Sequence, residues 1–212
     1  MQSSSTSAVV VPIRSFKDGK SRFTFGSHSR TKALVKTMAG FVVNAANGYQ
    51  TYILTKDVEV VEWARSERLG TFEDMAFDLN DSLALCSWSL WVSGLKRVAI
   101  VLGDLPLIKH EDIEAALTAN DLWILGNSNQ KGTNILAFDL PIPLNLCFGQ
   151  NSYQAHLASI NGLGLPYCEA PLSGASFDLD SPEDLQPLQD YARDNCDSDF
   201  KERLLQLEGL IR

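Results

Sequence analysis

The sequence contains few of the residues that several common kinds of site require. Its four cysteines are widely spaced with no C-x-x-C pair, which excludes a zinc ribbon and a thioredoxin-type redox site. It has three histidines, and no His-Glu-x-x-His motif, Ser-His-Asp set or Cys-His set is visible. We therefore expect reduced thiols without a catalytic role, as in a cytoplasmic protein.

Long apolar runs and an excess of cations are also missing. The longest apolar runs, Val9–Ile13 and Val98–Leu102, are far shorter than the roughly 20 residues that span a bilayer, so no membrane association is predicted. Residues 1–8 lack the cationic start and apolar core of a signal peptide. Lys and Arg number 18 against 26 Asp and Glu, and the net charge of −8 argues against nucleic acid as a partner.

The charges are unevenly distributed along the chain. Residues 1–36 carry seven basic side chains and one acidic one, whereas residues 176–212 carry ten acidic and four basic side chains. This distribution predicts a local anion site near the start of the chain, with acidic residues elsewhere that could hold a cation.

Apolar runs of strand length alternate with segments of helical period, which predicts an α/β fold in a single domain over residues 1–212. The predicted strands are Ala8–Ile13, Tyr52–Leu54, Val98–Leu102, Leu122–Leu125, Ile135–Phe138 and a strand edge at Ser176–Leu179. The predicted helices are Ser29–Ala46, Asp57–Arg68, Asn80–Val92 capped by Asp78 or Asn80, His110–Ala119, Ser152–Ile160, and one beginning at Pro182 with Pro187 as a candidate break.

A basic loop follows the first predicted strand. Gly19-Lys20-Ser21 is similar to the end of a P-loop, but that motif needs glycine where this sequence has Arg14, so a P-loop is excluded. A cationic loop at the carboxyl edge of an α/β sheet is well placed to bind a triphosphate or a leaving pyrophosphate. The alternative is a solvated basic loop without a ligand.

Acidic residues follow two other segments of the predicted sheet. Asp104 comes directly after the strand Val98–Leu102, and Asp178 and Asp180 point to the same side if their segment is extended. Three carboxylates that converge would repel one another unless a cation lay between them, which predicts a divalent-cation site. Alternatively, Asp180 only caps the next helix, and Gly103–Pro106 is only a turn.

Two further loops have the composition of substrate loops. They are Gly132–Asn134 and Phe148–Ser152, and the second ends at a helix N-terminus, where backbone N–H groups attract phosphate or carboxylate. The alternative is that Asn151 or Ser152 is simply an N-cap. His156 is interpreted as a buried histidine with satisfied hydrogen bonds and no chemical role.

Six motifs, in the same order along the chain, resemble one known family. They are V-P-I-R-S-F-K-D-G-K-S-R-F from Val11, D-L-N-D-S-L from Asp78, G-D-L-P-L from Gly103, G-T-N-I-L from Gly132, F-G-Q-N-S-Y-Q-A-H from Phe148 and D-L-D-S-P-E-D-L from Asp178. This order is similar to that of the CofC/FbiD nucleotidyltransferases of coenzyme F-420 biosynthesis. The sequence departs from the family pattern at Arg14, where lysine is usual, at Asp78, where some members have glycine, and at 127–130, where many members carry an aspartate.

The resemblance implies a three-layer α/β/α, Rossmann-like nucleotidyltransferase fold with a central, mostly parallel mixed sheet. It also implies guanylyl transfer from GTP to a small phosphorylated acid, with Lys20 and Asp104 as catalytic residues. The implied nucleotide-binding residues are Arg14, Lys20, Ser21, Arg22 and Asn80, the last at the base or ribose. The implied acceptor-binding residues are Thr133, Gly149 and Ser152. The implied Mg²⁺ ligands are Asp104, Asp178 and Asp180.

The sequence does not decide which acid accepts the guanylyl group: 2-phospho-L-lactate, phosphoenolpyruvate and 3-phosphoglycerate all remain candidates. Two other functions also stay open: a nucleotidyltransferase of the same fold that acts on a molybdopterin or a sugar phosphate, and a non-catalytic nucleotide-binding module. The resemblance further leaves room for a homodimer and for hand-over of the product to the next transferase of the pathway.

Overall fold

Strands and helices alternate along most of the chain in the computed structural model, which describes residues 6–17, 20, 23, 28–73 and 78–211. The strands are β1 (Ser7–Pro12), β2 (Gln50–Thr55), β3 (Gly70–Glu73), β4 (Arg97–Val101), β5 (Leu122–Gly126), β6 (Thr133–Asp139) and β7 (Tyr167–Glu169). The helices are α1 (His28–Ala45), α2 (Val58–Ser66), α3 (Leu79–Val92), α4 (His110–Thr118), α5 (Ser152–Gly162), α6 (Leu185–Asp194) and α7 (Ser198–Ile211). Among the described residues, no helix has the length and apolar character needed to cross a membrane.

The strands form one seven-stranded sheet in the order β3-β2-β1-β4-β6-β5-β7. Strand pairs β1–β2, β1–β4, β2–β3 and β5–β7 are parallel, whereas β6 is antiparallel to both β4 and β5. The sheet is therefore mostly parallel and mixed, as predicted. Because β6 runs against its neighbours, its first residue, Thr133, lies at the edge where β1, β2 and β4 end.

Helices cover both faces of the sheet because alternate residues of the central strands face opposite layers. In β1, Val9 and Val11 belong to the apolar cluster that contains α1, α2 and α4. Ala8 and Val10 belong to the opposite cluster, which contains α3 and α5. A third cluster joins α1 to α6 and α7. This arrangement is the predicted three-layer α/β/α fold, with two C-terminal helices packed on α1.

The predicted strand over Ser176–Leu179 is wrong. Gly174–Ser176 forms a 3-10 turn, and residues 177–180 lie outside the sheet. This segment is instead held to the sheet edge by single bonds, such as the 3.1 Å bond from the Leu179 N–H to the Asp104 carbonyl. The turn approaches the preceding loop so closely that a Cβ on Gly174 would lie 2.2 Å from the Leu107 carbonyl oxygen, so only glycine fits there.

The C-terminal helices do not break where the sequence predicted. A 3-10 turn over Pro182–Asp184 leads directly into α6, and Pro187 lies in the first turn of that helix, where a backbone N–H has no helical partner to lose. The break comes instead between α6 and α7, where Cys196 has a left-handed backbone with φ of 52°. Helix α7 and the short edge strands β3 and β7 were not predicted.

Candidate functional site

Three predicted site residues and one lysine that was not predicted, Lys56, gather where the parallel strands end. Arg14 follows β1, Lys56 follows β2 and Asp104 follows β4. Thr133 reaches the same edge from the start of the antiparallel β6. Side chains widely separated in the sequence are therefore brought to one side of the sheet, as expected for a ligand site in an open α/β fold.

Two cavities open at this edge and share a wall formed by Leu79, Leu102 and Asp104. The first cavity has a volume of about 430 Å³ and carries the cations Arg14 and Lys56. The second has a volume of about 580 Å³, and its lining includes Thr133, Gly149, Ser152, Asp178 and Asp180. Arg14 and the predicted acceptor residues thus lie on opposite sides of Asp104.

Lys20 lies between two of the predicted metal ligands. Its Nζ donates to Asp104 Oδ2 at 2.7 Å and also to Asp180 Oδ1, and its side chain is only 5% exposed. Burial by itself would lower the pKa of Lys20, but the charges of Asp104 and Asp180 outweigh it, so the pKa is raised above its ordinary value. The ammonium therefore stays charged at neutral pH.

Two features of the described residues favour a further cation beside this cluster. Burial, reinforced by the Asp104 charge, raises the pKa of Asp178 to about 6. The Oδ1 atom of Asp104 is buried and has no hydrogen-bond partner among the described residues. Uncompensated buried carboxylate oxygens of this kind fit a hard divalent cation.

The carboxylates are nevertheless not assembled as a finished metal site. Within the described part of the chain, no three His, Cys, Asp or Glu side chains are grouped closely enough to hold a metal ion. The Lys20 ammonium instead bridges Asp104 and Asp180. The magnesium ligand set therefore stays a prediction, and ion binding would require Lys20 to share or leave these carboxylates.

The second cavity contains a buried hydrogen-bond network around Thr133. The Thr133 N–H donates to Ser152 Oγ at 2.9 Å, and Thr133 Oγ1 lies 2.9 Å from His156 Nδ1. The Ser152 hydroxyl is thus used between two elements, and the alternative of a simple N-cap is wrong for it. Position Asn151 is the N-cap, with a left-handed φ of 56° and no side-chain capping bond.

The hydrogen bonds of His156 define its tautomer. The Cys147 N–H donates to His156 Nε2 at 2.9 Å, so this nitrogen carries no proton and Nδ1 is the donor to Thr133. Burial lowers the pKa of His156 to about 4, which keeps the ring neutral at physiological pH. His156 is fully buried with both ring nitrogens bonded, in agreement with the interpretation from the sequence.

The loop before α5 turns sharply at Gly149 as it enters the helix. Gly149 has φ of 135°, which side chains rarely adopt, and its carbonyl accepts from the Ser152 N–H at 3.2 Å. Residues 149–152 all line the second cavity at the N-terminal end of α5. The Ser152 N–H is thus already bonded, and the Tyr153 N–H donates to the Lys131 carbonyl at 3.1 Å, so an anion here would be attracted mainly by the positive end of the α5 dipole.

Asn80 makes contacts that the sequence did not suggest. Its Nδ2 donates to the Phe148 carbonyl at 3.0 Å, and its Oδ1 accepts from the Phe148 N–H at 2.7 Å. Its neighbours Asp78 and Leu79 line the first cavity, whereas Asn80 is absent from the lining of both. Asp78, one of the two predicted caps, is the N-cap of α3.

Two predicted residues, Ser21 and Arg22, lie outside the described residues. Two lysines that line the cavities were missed, Lys56 in the first and Lys131 in the second. Lys56 directly follows β2, so the same argument from strand ends that identified Asp104 would have identified it. Lys131 stands next to the Gly132–Asn134 motif and had a comparable signal.

Sequence comparison identifies the family. The sequence profile of proteins described as guanylyl transferase CofC like matches residues 7–205. The chain belongs to this family. As a member of it, the chain is a nucleotidyltransferase enzyme. The resemblance drawn from six motifs is thereby confirmed.

Two relatives of the chain are named after different acceptor substrates. The phosphoenolpyruvate guanylyltransferase of Chloroflexus aggregans is 29% identical over 190 residues, which cover 84% of this chain and 94% of the relative. The 2-phospho-L-lactate guanylyltransferase of Methanocaldococcus jannaschii is 25% identical over 200 residues, which cover 92% of this chain and 88% of the relative.

A solved structure shares the fold. A cytidylyltransferase from Leptospira borgpetersenii superposes with a TM-score of 0.58 at 15% sequence identity, covering 97% of this chain and 96% of the other. The fold is that of the α/β nucleotidyltransferases, as predicted.

Proposed function

We propose that the protein transfers a guanylyl group from GTP to the phosphate of a small phosphorylated carboxylic acid, with release of pyrophosphate, in coenzyme F-420 biosynthesis. The observation that carries this proposal is the position of Asp104 on the wall between two cavities. One cavity contains cations and the other contains the N-terminal end of a helix. The names of the relatives supply the guanylyl group and the class of acceptor.

The first cavity is the candidate site for the nucleotide. Arg14 and Lys56 enter it from the ends of two adjacent parallel strands. A guanidinium and an ammonium together can bind phosphate oxygens and stabilise the charge that develops on a leaving pyrophosphate. Lys20, on the loop after β1, would add a third cation once a nucleotide competes with its carboxylate partners.

The second cavity is the candidate site for the acceptor. The positive N-terminal end of α5 and the ammonium of Lys131 can attract two anionic groups, the carboxylate and the phosphate of one small acid. Thr133 accepts a hydrogen bond from His156, so its hydroxyl proton can be donated to that ligand. These contacts suit phosphoenolpyruvate, 2-phospho-L-lactate and 3-phosphoglycerate alike.

The reaction needs positioning more than proton transfer. An acceptor phosphate oxygen attacks the α-phosphorus of GTP, and the bond from that phosphorus to the oxygen bridging to the β-phosphorus breaks. A phosphate monoester has a second pKa of about 6, so at neutral pH it is mostly a dianion and requires no general base. His156, which packs beside the second cavity, is held neutral and bonded on both nitrogens, so it is not available as a general base.

A magnesium ion stays a prediction here: Asp104, Asp178 and Asp180 have the carboxylate chemistry to hold one, but only if the Lys20 ammonium shares or leaves Asp104 and Asp180. When bound there, it would neutralise phosphate charge and favour displacement at the α-phosphorus. The protein itself would hold the phosphates of GTP and of the acceptor on either side of Asp104. It would also reduce the repulsion between these phosphates and the carboxylates of Asp104 and Asp180. Before an ion binds, the buried charge of Lys20 would serve the second purpose, since it pairs with Asp104 and Asp180.

A pyrophosphate-release assay across substrates tests the proposal. GTP, ATP, CTP and UTP would each be combined with the three acids and, as comparison, with a sugar phosphate and a molybdopterin. We expect release with GTP and at least one of the three acids. Release with another nucleotide or only with the comparison acceptors would contradict the proposal. Hand-over of the product and a homodimer stay predictions.

A further inference from the structure

Asn80 joins the two cavities without lining either of them. The residue lies in the first turn of α3, directly after Asp78 and Leu79, which line the first cavity. Its amide pairs with both backbone polar groups of Phe148, a residue 68 positions further along the chain that lines the second cavity. The nucleotide side and the acceptor side are therefore connected by two hydrogen bonds from one side chain.

The two hydrogen bonds from Asn80 to Phe148 fix the start of the loop 148–152, here called the acceptor loop because it lines the candidate site for the acceptor substrate. Phe148 is 8% exposed as a residue, and both of its backbone polar groups pair with Asn80 in a partly buried position, so the loss of that amide would leave them without these partners at a cost in stability. The next residue, Gly149, has the left-handed φ that turns the loop toward α5. A change at Asn80 would thus alter the path of the loop into α5, whose N-terminal end is the candidate site for the acceptor substrate.

His156 anchors the same loop from the opposite side. It accepts from the N–H of Cys147, and its ring packs edge-on against the Phe148 ring with centroids 4.9 Å apart. The loop is thus bonded to α5 through His156 and to α3 through Asn80. The bond to α3 is the one that leads to the nucleotide cavity.

We propose that Asn80 is a positioning residue that couples the two substrate sites. A nucleotide in the first cavity contacts the start of α3 and restricts its motion. Because Asn80 is bonded to Phe148, the acceptor loop is then restricted as well. Each substrate then raises the affinity for the other by the same factor, as thermodynamic linkage requires. This inference rests on the proposed function. It differs from the sequence-based expectation, because Asn80 acts on the acceptor loop through Phe148 and does not contact the base or ribose itself.

Calorimetric titration of the full chain tests the coupling. Phosphoenolpyruvate and 2-phospho-L-lactate would each be titrated with and without a non-hydrolysable GTP analogue, in wild type and in Asn80→Ala. We expect the analogue to tighten acceptor binding about tenfold in wild type, which corresponds to about 1.4 kcal/mol of coupling, and less than twofold in Asn80→Ala. Affinity for the analogue alone should change less than twofold.

Two further variants separate positioning from a loss of stability. Asn80→Asp keeps the size of the side chain and the oxygen that accepts from the Phe148 N–H, but it loses the amide that donates to the Phe148 carbonyl. This variant should therefore lose part of the coupling, and it provides a test even if Asn80→Ala folds poorly. Asp81→Ala is the matched control, because Asp81 lies in the same helical turn, is exposed and lines neither cavity. It should leave the coupling unchanged.

The outcomes distinguish this inference from the proposed function. Coupling that survives in both Asn80 variants overturns the inference and leaves the proposed function standing. A large loss of affinity for the GTP analogue, with acceptor binding unchanged, also overturns it and restores the direct nucleotide contact. If wild type binds neither the analogue nor any of the acids, both the proposed function and the inference are wrong.

Discussion

Replacing Lys20 with methionine removes a buried positive charge from between Asp104 and Asp180. Methionine keeps much of the length and apolar volume of the lysine side chain, so the main change is electrostatic. In the variant, Asp104, Asp180 and the neighbouring Asp178 would face one another without that ammonium. The fold should lose stability at neutral pH, and a divalent cation should restore part of it.

The exposure of the three side chains sets the size of the loss. Removing one partner of a fully buried ion pair costs about 3–5 kcal/mol, whereas an exposed pair contributes about 0–1 kcal/mol. Lys20 is 5% exposed, Asp104 24% and Asp180 48%, so this cluster lies between the two cases. We expect a loss of roughly 2 kcal/mol in the free energy of unfolding at pH 7.5.

The pH dependence gives the prediction its sign. The pKa of Lys20 is raised in the folded state, so its stabilising effect is fully present at pH 7.5 and is lost only when the pH rises through that pKa. Acidification should instead rescue the variant, because Asp178, with a pKa of about 6, becomes neutral and no longer repels its neighbours. The deficit should therefore shrink between pH 7.5 and pH 5.

Urea melts of wild type and Lys20→Met at pH 7.5 and pH 5, with and without Mg²⁺, measure these effects. Lys32→Met is the control, since Lys32 pairs with Glu59 at 3.0 Å but both side chains are more than one-third exposed, and it should change stability little. A Lys20→Met protein as stable as wild type at pH 7.5 would refute the electrostatic argument. An equal deficit at both pH values would also refute it.

Three further predictions concern the two cavities and their shared wall. Because the charged form of Asp178 is the one that would bind a cation, activity should fall more steeply below about pH 6 at limiting than at saturating Mg²⁺, and Asp178→Asn should remove most activity; profiles of the same shape at both Mg²⁺ concentrations, as protonation of the acceptor phosphate alone would give, contradict this. Ser152→Ala leaves the buried Thr133 N–H without its partner and should cost about 1–3 kcal/mol in a denaturant melt, so an unchanged melt would show that the bond is dispensable. Arg14→Ala should raise the KM for GTP and leave that for the acceptor nearly constant, and the opposite result would exchange the assignments of the two cavities.

Much of the fold could be predicted from hydrophobic patterning. The buried runs of β1 and β4 are long and continuous, so their strands are evident in the sequence, and Asp104 follows as a strand-end residue. The edge strands β3 and β7, with four and three residues, have too little periodic signal to be recognised. The segment 176–179 resembles a strand in composition, but the close packing of Gly174 against the Leu107 carbonyl takes it away from the sheet.

The candidate site was less predictable because its key contacts depend on tertiary structure. Motifs identified Thr133 and Ser152 as a pair of loop residues, but not the bond from the Thr133 N–H to the Ser152 hydroxyl across 19 positions. For Asn80, a polar residue at a helix start suggests capping or a ligand contact. Its actual partner, the backbone of Phe148, has no sequence signature, since any residue offers an N–H and a carbonyl.

The central claim, attack by an acceptor phosphate on the α-phosphorus of GTP, is tested most directly by isotope labelling. The protein would be incubated with GTP, Mg²⁺ and an acceptor, either phosphoenolpyruvate or 2-phospho-L-lactate, whose phosphate oxygens are labelled with oxygen-18. The masses of the products would be measured by mass spectrometry. We predict a guanylylated acid that retains all of the label, together with unlabelled pyrophosphate. Label in the pyrophosphate, or consumption of GTP without a guanylylated acid, would contradict the account.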